Sequence, residues 1–162
     1  MRSEWDDLGI PNEDAYHPVE TADFGGRGRT DQQLYLRIPK RGTAFPAVVW
    51  FHGGGLTGGG REVPDALFDG RMAVIEARYR LSPEFPAPAA LADAVAATAW
   101  TLKRAEARGI DPERVFVGGM SAGAWLAAMT GMDRSYLAAY GIDSRKLAGL
   151  LLVSGQMTTH FQ

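Results

Sequence analysis

Cysteine is absent from the 162 residues, which excludes disulfides and thiolate metal sites. An excess of one charge is also missing: 17 Lys and Arg face 19 Asp and Glu, for a net charge of −2. That balance offers no basic footprint for nucleic acid and no attraction to an acidic membrane surface. No apolar run reaches the roughly 18 residues of a membrane span. The acidic first residues, MRSEWDDLGIPNED, lack the apolar stretch of a signal peptide. These absences lead to the expectation of a soluble, cytoplasmic protein with no nucleic-acid or membrane partner.

What is present suits a globular fold. Hydrophobic residues make up 46% of the chain and charged residues 22%, enough for one domain with a real core. Residues 1–18 are polar and contain Pro11 and Pro18, so they read as an N-terminal arm; residues 19–162 read as the single domain. Strands are predicted at 19–24 and 32–38, joined through Gly25, Gly26 and Gly28 as a hairpin. The apolar run 46–51 predicts a strand buried on both faces, and 72–77 predicts another. An alanine-rich helix is expected over 89–107, ended by Gly109. A strand at 114–118, a helix at 121–132, an amphipathic segment at 135–140 and a strand at 150–153 follow. Strands alternating with helices after the hairpin argue for an α/β fold with a mostly parallel sheet.

Two motifs carry chemistry. Gly119-Met120-Ser121-Ala122-Gly123 matches G-x-S-x-G, with a predicted strand before it and a helix after it. In that context the serine occupies a tight, strained turn that presents its hydroxyl at a helix N-terminus. The ordinary alternative is a serine helix cap in a glycine-containing turn. His52-Gly53-Gly54-Gly55 follows the buried strand 46–51. Glycines there let backbone N–H groups approach a developing oxyanion closely. Gly53, Gly55 and Gly58 also match G-x-G-x-x-G, with Glu76 about 20 positions on, the pattern of a dinucleotide site. That reading requires a helix opening at the third glycine, and the run from Gly59 to Pro64 will not start one.

With both motifs in place, the chain resembles the carboxylesterase and lipase branch of the α/β-hydrolases that carries an HGGG loop, the hormone-sensitive-lipase-like esterases among them. Tyr79-Arg80-Leu81-Ser82-Pro83-Glu84 and Ile110-Asp111-Pro112-Glu113-Arg114-Val115 extend the resemblance. It implies an α/β-hydrolase fold, a mostly parallel sheet flanked by helices, and a metal-free, cofactor-free ester hydrolase. Ser121 would be the nucleophile, and the amides of Gly54, Gly55 and Ala122 the oxyanion hole. His52 would brace the loop, Leu56 and Met120 would line the acyl pocket, and residues 56–60 would form a flap. Short-chain acyl esters are the substrates this implies.

In the family the triad acid and histidine follow the serine on later strands. Here His160 alone follows the last predicted strand, with no carboxylate after Asp143 to orient it. The expectation is therefore a fold that lacks its last strands and helices, and a chain inactive by itself. Its last apolar strand would then pair with a missing C-terminal segment or a second copy. Two other classes stay open: a non-catalytic binding module of the same fold, and a nucleotide-binding oxidoreductase.

Overall fold

The computed structural model describes residues 11–60 and 62–155. Among these, six strands form one sheet: β1 (Glu20–Asp23), β2 (Gln33–Arg37), β3 (Phe45–Phe51), β4 (Ala73–Ala77), β5 (Ile110–Met120) and β6 (Gly149–Val153). Three α-helices accompany them, α1 (Ala87–Arg104), α2 (Ala122–Met132) and α3 (Arg134–Ala138). The strands lie in the order β1-β2-β4-β3-β5-β6. β1 and β2 form the expected antiparallel pair, and β2 also runs antiparallel to β4. From β4 through β3 and β5 to β6 the sheet is parallel.

The central strand shows why its sequence is apolar throughout. Ala47, Val49 and Phe51 of β3 enter the main core, whereas Val48 and Trp50 enter a second cluster with Val74, Tyr16 and Phe68. Successive side chains leave a strand on opposite faces, so a strand covered on both sides needs an apolar residue at every position. Tyr16 lies within the predicted polar arm, yet it is buried edge-on to Phe68 at 6.2 Å and its hydroxyl accepts the Gly70 N–H.

Helix α1 packs Ala90, Leu91, Ala94 and Val95 into the main core. It ends earlier than expected, at Arg104, and a 3₁₀ turn over Glu106–Arg108 leads to Gly109 in the left-handed conformation, φ 70°. Helix α2 is buried almost all round, as an apolar helix must be, through Ala122, Gly123, Ala124, Leu126, Ala127 and Ala128. Strand β5 is longer than the predicted 114–118. Its register shifts where Phe45 and Ala47 meet it, and this irregularity admits Asp111-Pro112 into the strand's first half. The β3–β4 connection holds a glycine loop and a 3₁₀ turn, Asp65–Leu67. No helix among the described residues is long and apolar enough to cross a membrane.

Candidate active site

The turn between β5 and α2 is a single residue. Ser121 has φ 52° and ψ −116°, a conformation that L-residues rarely adopt. Two close backbone passes force it. A Cβ on Gly119 would stand 2.4 Å from the Gly123 carbonyl carbon and 2.6 Å from the Phe51 oxygen. One on Gly123 would stand 2.0 Å from the Phe51 oxygen and 2.5 Å from the His52 oxygen. Only glycine fits either position, and the strain falls on the serine between them. Ser121 is exposed, and its N–H donates to the Val153 carbonyl at 2.9 Å, which ties the elbow to the end of β6. Its side chain stands at the first turn of α2, where the helix dipole and the Ala122 amide, with no acceptor among the described residues, favour negative charge.

The end of β3 delivers the second motif to the same place. A Cβ on Gly53 would be 3.3 Å from the Met120 oxygen and 3.5 Å from the Ser121 Cβ, so the glycine loop lies directly against the elbow. The loop then folds back: the Gly54 carbonyl accepts the N–H groups of Thr57 and Gly58, both at 3.1 Å. Gly54 and Gly55 both have positive φ, 106° and 63°. Among the described residues their amides find no acceptor.

His52 is 5% exposed, and no hydrogen bond joins its ring to Ser121 among the described residues. Its ring stacks on Tyr79 at 4.3 Å and 14°. Its Nδ1 lies 2.7 Å from the Gly53 carbonyl, a distance that assigns the proton to Nδ1, while the Tyr79 hydroxyl donates to the His52 carbonyl at 2.8 Å. Burial lowers the His52 pKa below its ordinary 6.5, countered by the Gly53 carbonyl and the Glu62 charge. Burial also raises the Tyr79 hydroxyl well above its ordinary value. Both groups are therefore uncharged at neutral pH, and the ring braces the loop from behind.

The remaining sequence candidates are dispersed. Leu56, expected at the pocket wall, is 2% exposed and packs within the main core. Met120 is half-buried against the second cluster. His17 is exposed, and His160 lies outside the described residues. The described residues between Gly58 and Asp65 lie in no helix, and Glu76 is buried in β4, so a dinucleotide site finds no helix N-terminus among them. Among the described residues no group of three His, Cys, Asp or Glu could hold a metal. No described side chain hydrogen-bonds the Ser121 hydroxyl.

Sequence reasoning missed two residues. Tyr79 stacks on His52 across a separation that no local pattern encodes. Glu62 accepts the Gly53 N–H through Oε2 at 3.3 Å, and its main-chain carbonyl accepts the Trp50 indole N–H at 2.7 Å. No sequence signal distinguishes it from any loop carboxylate.

Comparison with known proteins fits this geometry. Residues 48–160 match a family described as the alpha/beta hydrolase fold. The chain is 45% identical over 97 residues to the carboxylic ester hydrolase LipN of Mycobacterium tuberculosis, an alignment covering 56% of this chain and 26% of LipN. It is 38% identical over 119 residues to carboxylesterase NlhH of the same species, covering 68% of this chain and 37% of the relative. Among solved structures it resembles a hyperthermophilic esterase from Pyrobaculum calidifontis, with a TM-score of 0.67 and 30% identity, over 86% of this chain and 45% of the esterase. It also resembles the thermophilic carboxylesterase EstE1 from a metagenomic library, with a TM-score of 0.65 and 32% identity, over 79% and 44%. The chain thus spans less than half the length of each of these proteins.

Proposed function

The chain belongs to the α/β-hydrolase fold family, and from that premise we propose that it carries the nucleophile and oxyanion-hole half of a carboxylic-ester hydrolase. One observation carries the reading: Ser121 is held at φ 52° between two glycines that no other residue could replace, directly against a loop whose Gly54 and Gly55 amides find no acceptor among the described residues. In this reading the Ser121 hydroxyl attacks the ester carbonyl and forms an acyl-serine, releasing the alcohol; water then releases the acid. The amides of Gly54, Gly55 and Ala122 take the oxyanion, each such donor contributing about 3 kcal/mol in comparable sites. Short acyl groups are favoured, because the loop after β3 turns back on the Gly54 carbonyl and builds no helical wall there.

The base that takes the serine proton lies outside the described residues. His52 is committed to Tyr79 and Gly53, and His17 is exposed on the N-terminal segment. The same observation favours a second reading, a binding module that keeps the fold without turnover. Hydrolysis of p-nitrophenyl butyrate by the protein and by S121A separates the two. Turnover lost in S121A supports the esterase, and H160A then asks whether His160 is the base. Absence of turnover, with no fluorophosphonate adduct on Ser121, supports the binding module. Turnover that survives S121A overturns the serine-esterase reading.

A further inference from the structure

Glu62 places a carboxylate beside the nucleophile. A Cβ on Gly53 would touch both groups at once, at 3.2 Å from Glu62 Oε2 and 3.5 Å from the Ser121 Cβ. The side chain is exposed and forms no ion pair among the described residues. Its hydrogen bond is a long one, the 3.3 Å contact with the Gly53 N–H, which leaves most of its lone pairs open to solvent. Its backbone is nevertheless held: the carbonyl takes the indole N–H of Trp50, a residue 2% exposed in the second cluster. The charge is felt inside the loop, since it opposes the effect of burial on His52 and adds to it on Tyr79.

Such a charge is a liability for a neutral substrate. Ester attack develops a negative charge at the Gly54 and Gly55 amides, and a nearby carboxylate works against it. A positive group on the substrate would offset that repulsion and supply the missing partner. The two aromatic residues that hydrogen-bond this loop among the described residues, Trp50 and Tyr79, are both buried. A quaternary ammonium would therefore find no aromatic cage, whereas a primary ammonium can donate directly to the carboxylate. We propose that Glu62 makes this site select esters whose acyl or alcohol part carries a primary ammonium a short chain from the scissile carbonyl. This rests on the esterase reading of Ser121.

The test measures binding and needs no turnover. Aminopropanol and its neutral isostere n-butanol are titrated at pH 7 against the protein, E62Q and E62K, with saturation-transfer NMR as the readout. The protein should bind aminopropanol about twofold to fivefold better than n-butanol, the size of an exposed ion pair. E62Q should lose that preference while keeping its n-butanol affinity, and E62K should disfavour the amine. Equal binding of the two alcohols, no binding of either, or a preference that persists in E62Q overturns the inference. So does an E62Q that loses both alcohols, which would mark Glu62 as structural. Fluorophosphonate labelling of Ser121 reports separately: labelling without the amine preference leaves the esterase reading standing alone. An amine preference that tracks Glu62 without labelling leaves the cation site and removes the esterase.

Discussion

At the scale of single residues, the elbow is held together by what cannot be added to it. Gly123→Ala would drive a Cβ to 2.0 Å from a backbone oxygen of β3, and no side chain can move to relieve the clash. We expect a loss of about 3 kcal/mol in urea unfolding, the upper end of the overpacking range, together with loss of any Ser121 adduct. These glycines were legible in the sequence because the constraint is local, a strand turning into a helix within five residues. Glu62 was not legible, because its place beside Ser121 depends on a loop that folds back across the end of β3. His52 gives a pH signature. Burial holds its folded pKa below the ordinary 6.5, so between those two values the unfolded chain binds the proton and the folded one does not. Its contribution is thus fully present above pH 6.5 and is lost as pH falls toward the lowered folded value. Stability measured by urea titration should fall over that window. His52→Gln should be less stable throughout and should lose that slope.

At the scale of elements, the strands and helices were largely readable, and the ends were not. The run 46–51 announced β3 because both faces of the strand are covered. The start of β5 was hidden because Asp111-Pro112 reads as a turn, and only the register shift against β3 lets it join the sheet. The end of α1 was misplaced because alanine continues past Arg104 while the backbone tightens into a 3₁₀ turn before Gly109. What fixes α1 against the segment after β4 is a buried polar group that periodicity cannot see. Asp93 is 2% exposed and accepts from Gln32 Nε2 at 2.7 Å, the Arg80 N–H at 2.9 Å, and Arg80 Nε and Nη2 at 2.8 and 2.7 Å. Asp93→Asn removes the charge and presents an amide N–H₂ to donors, so several of these bonds fail together. The expected cost is about 3 kcal/mol, the lower end for breaking a buried pair, because the Arg80 side chain is 26% exposed and recovers some hydration. Urea unfolding measures it. A loss below about 1 kcal/mol would show that the pair orients α1 without stabilising it.

At the scale of the whole molecule, the sheet is asymmetric in how it ends. On one side β1 is short, and two of its four residues are exposed. On the other, β6 pairs with β5 along one edge and, among the described residues, with nothing along the other. Its residues are Gly149 and Leu150 to Val153, with Leu152 37% and Val153 39% exposed. An apolar edge with free N–H and C=O groups is a template for another strand. The end of this strand also matters to the site, since the Val153 carbonyl receives the Ser121 N–H. The solved esterases that the chain resembles are more than twice as long as the stretch it matches, so a further strand of such a fold is one occupant and a second copy of this chain is the other. For the protein alone, we expect self-association at micromolar concentration in sedimentation velocity. Leu152→Lys should shift the distribution to monomer without changing the thermal midpoint by more than a few degrees, because a lysine on an edge strand blocks pairing while its stem still covers the sheet. A wild-type protein that stays monomeric at high concentration would sink the idea of an edge in need of a partner. A lysine variant that associates as strongly as the parent would place the contact elsewhere, with Met132, 71% exposed at the end of α2, as the next position to test.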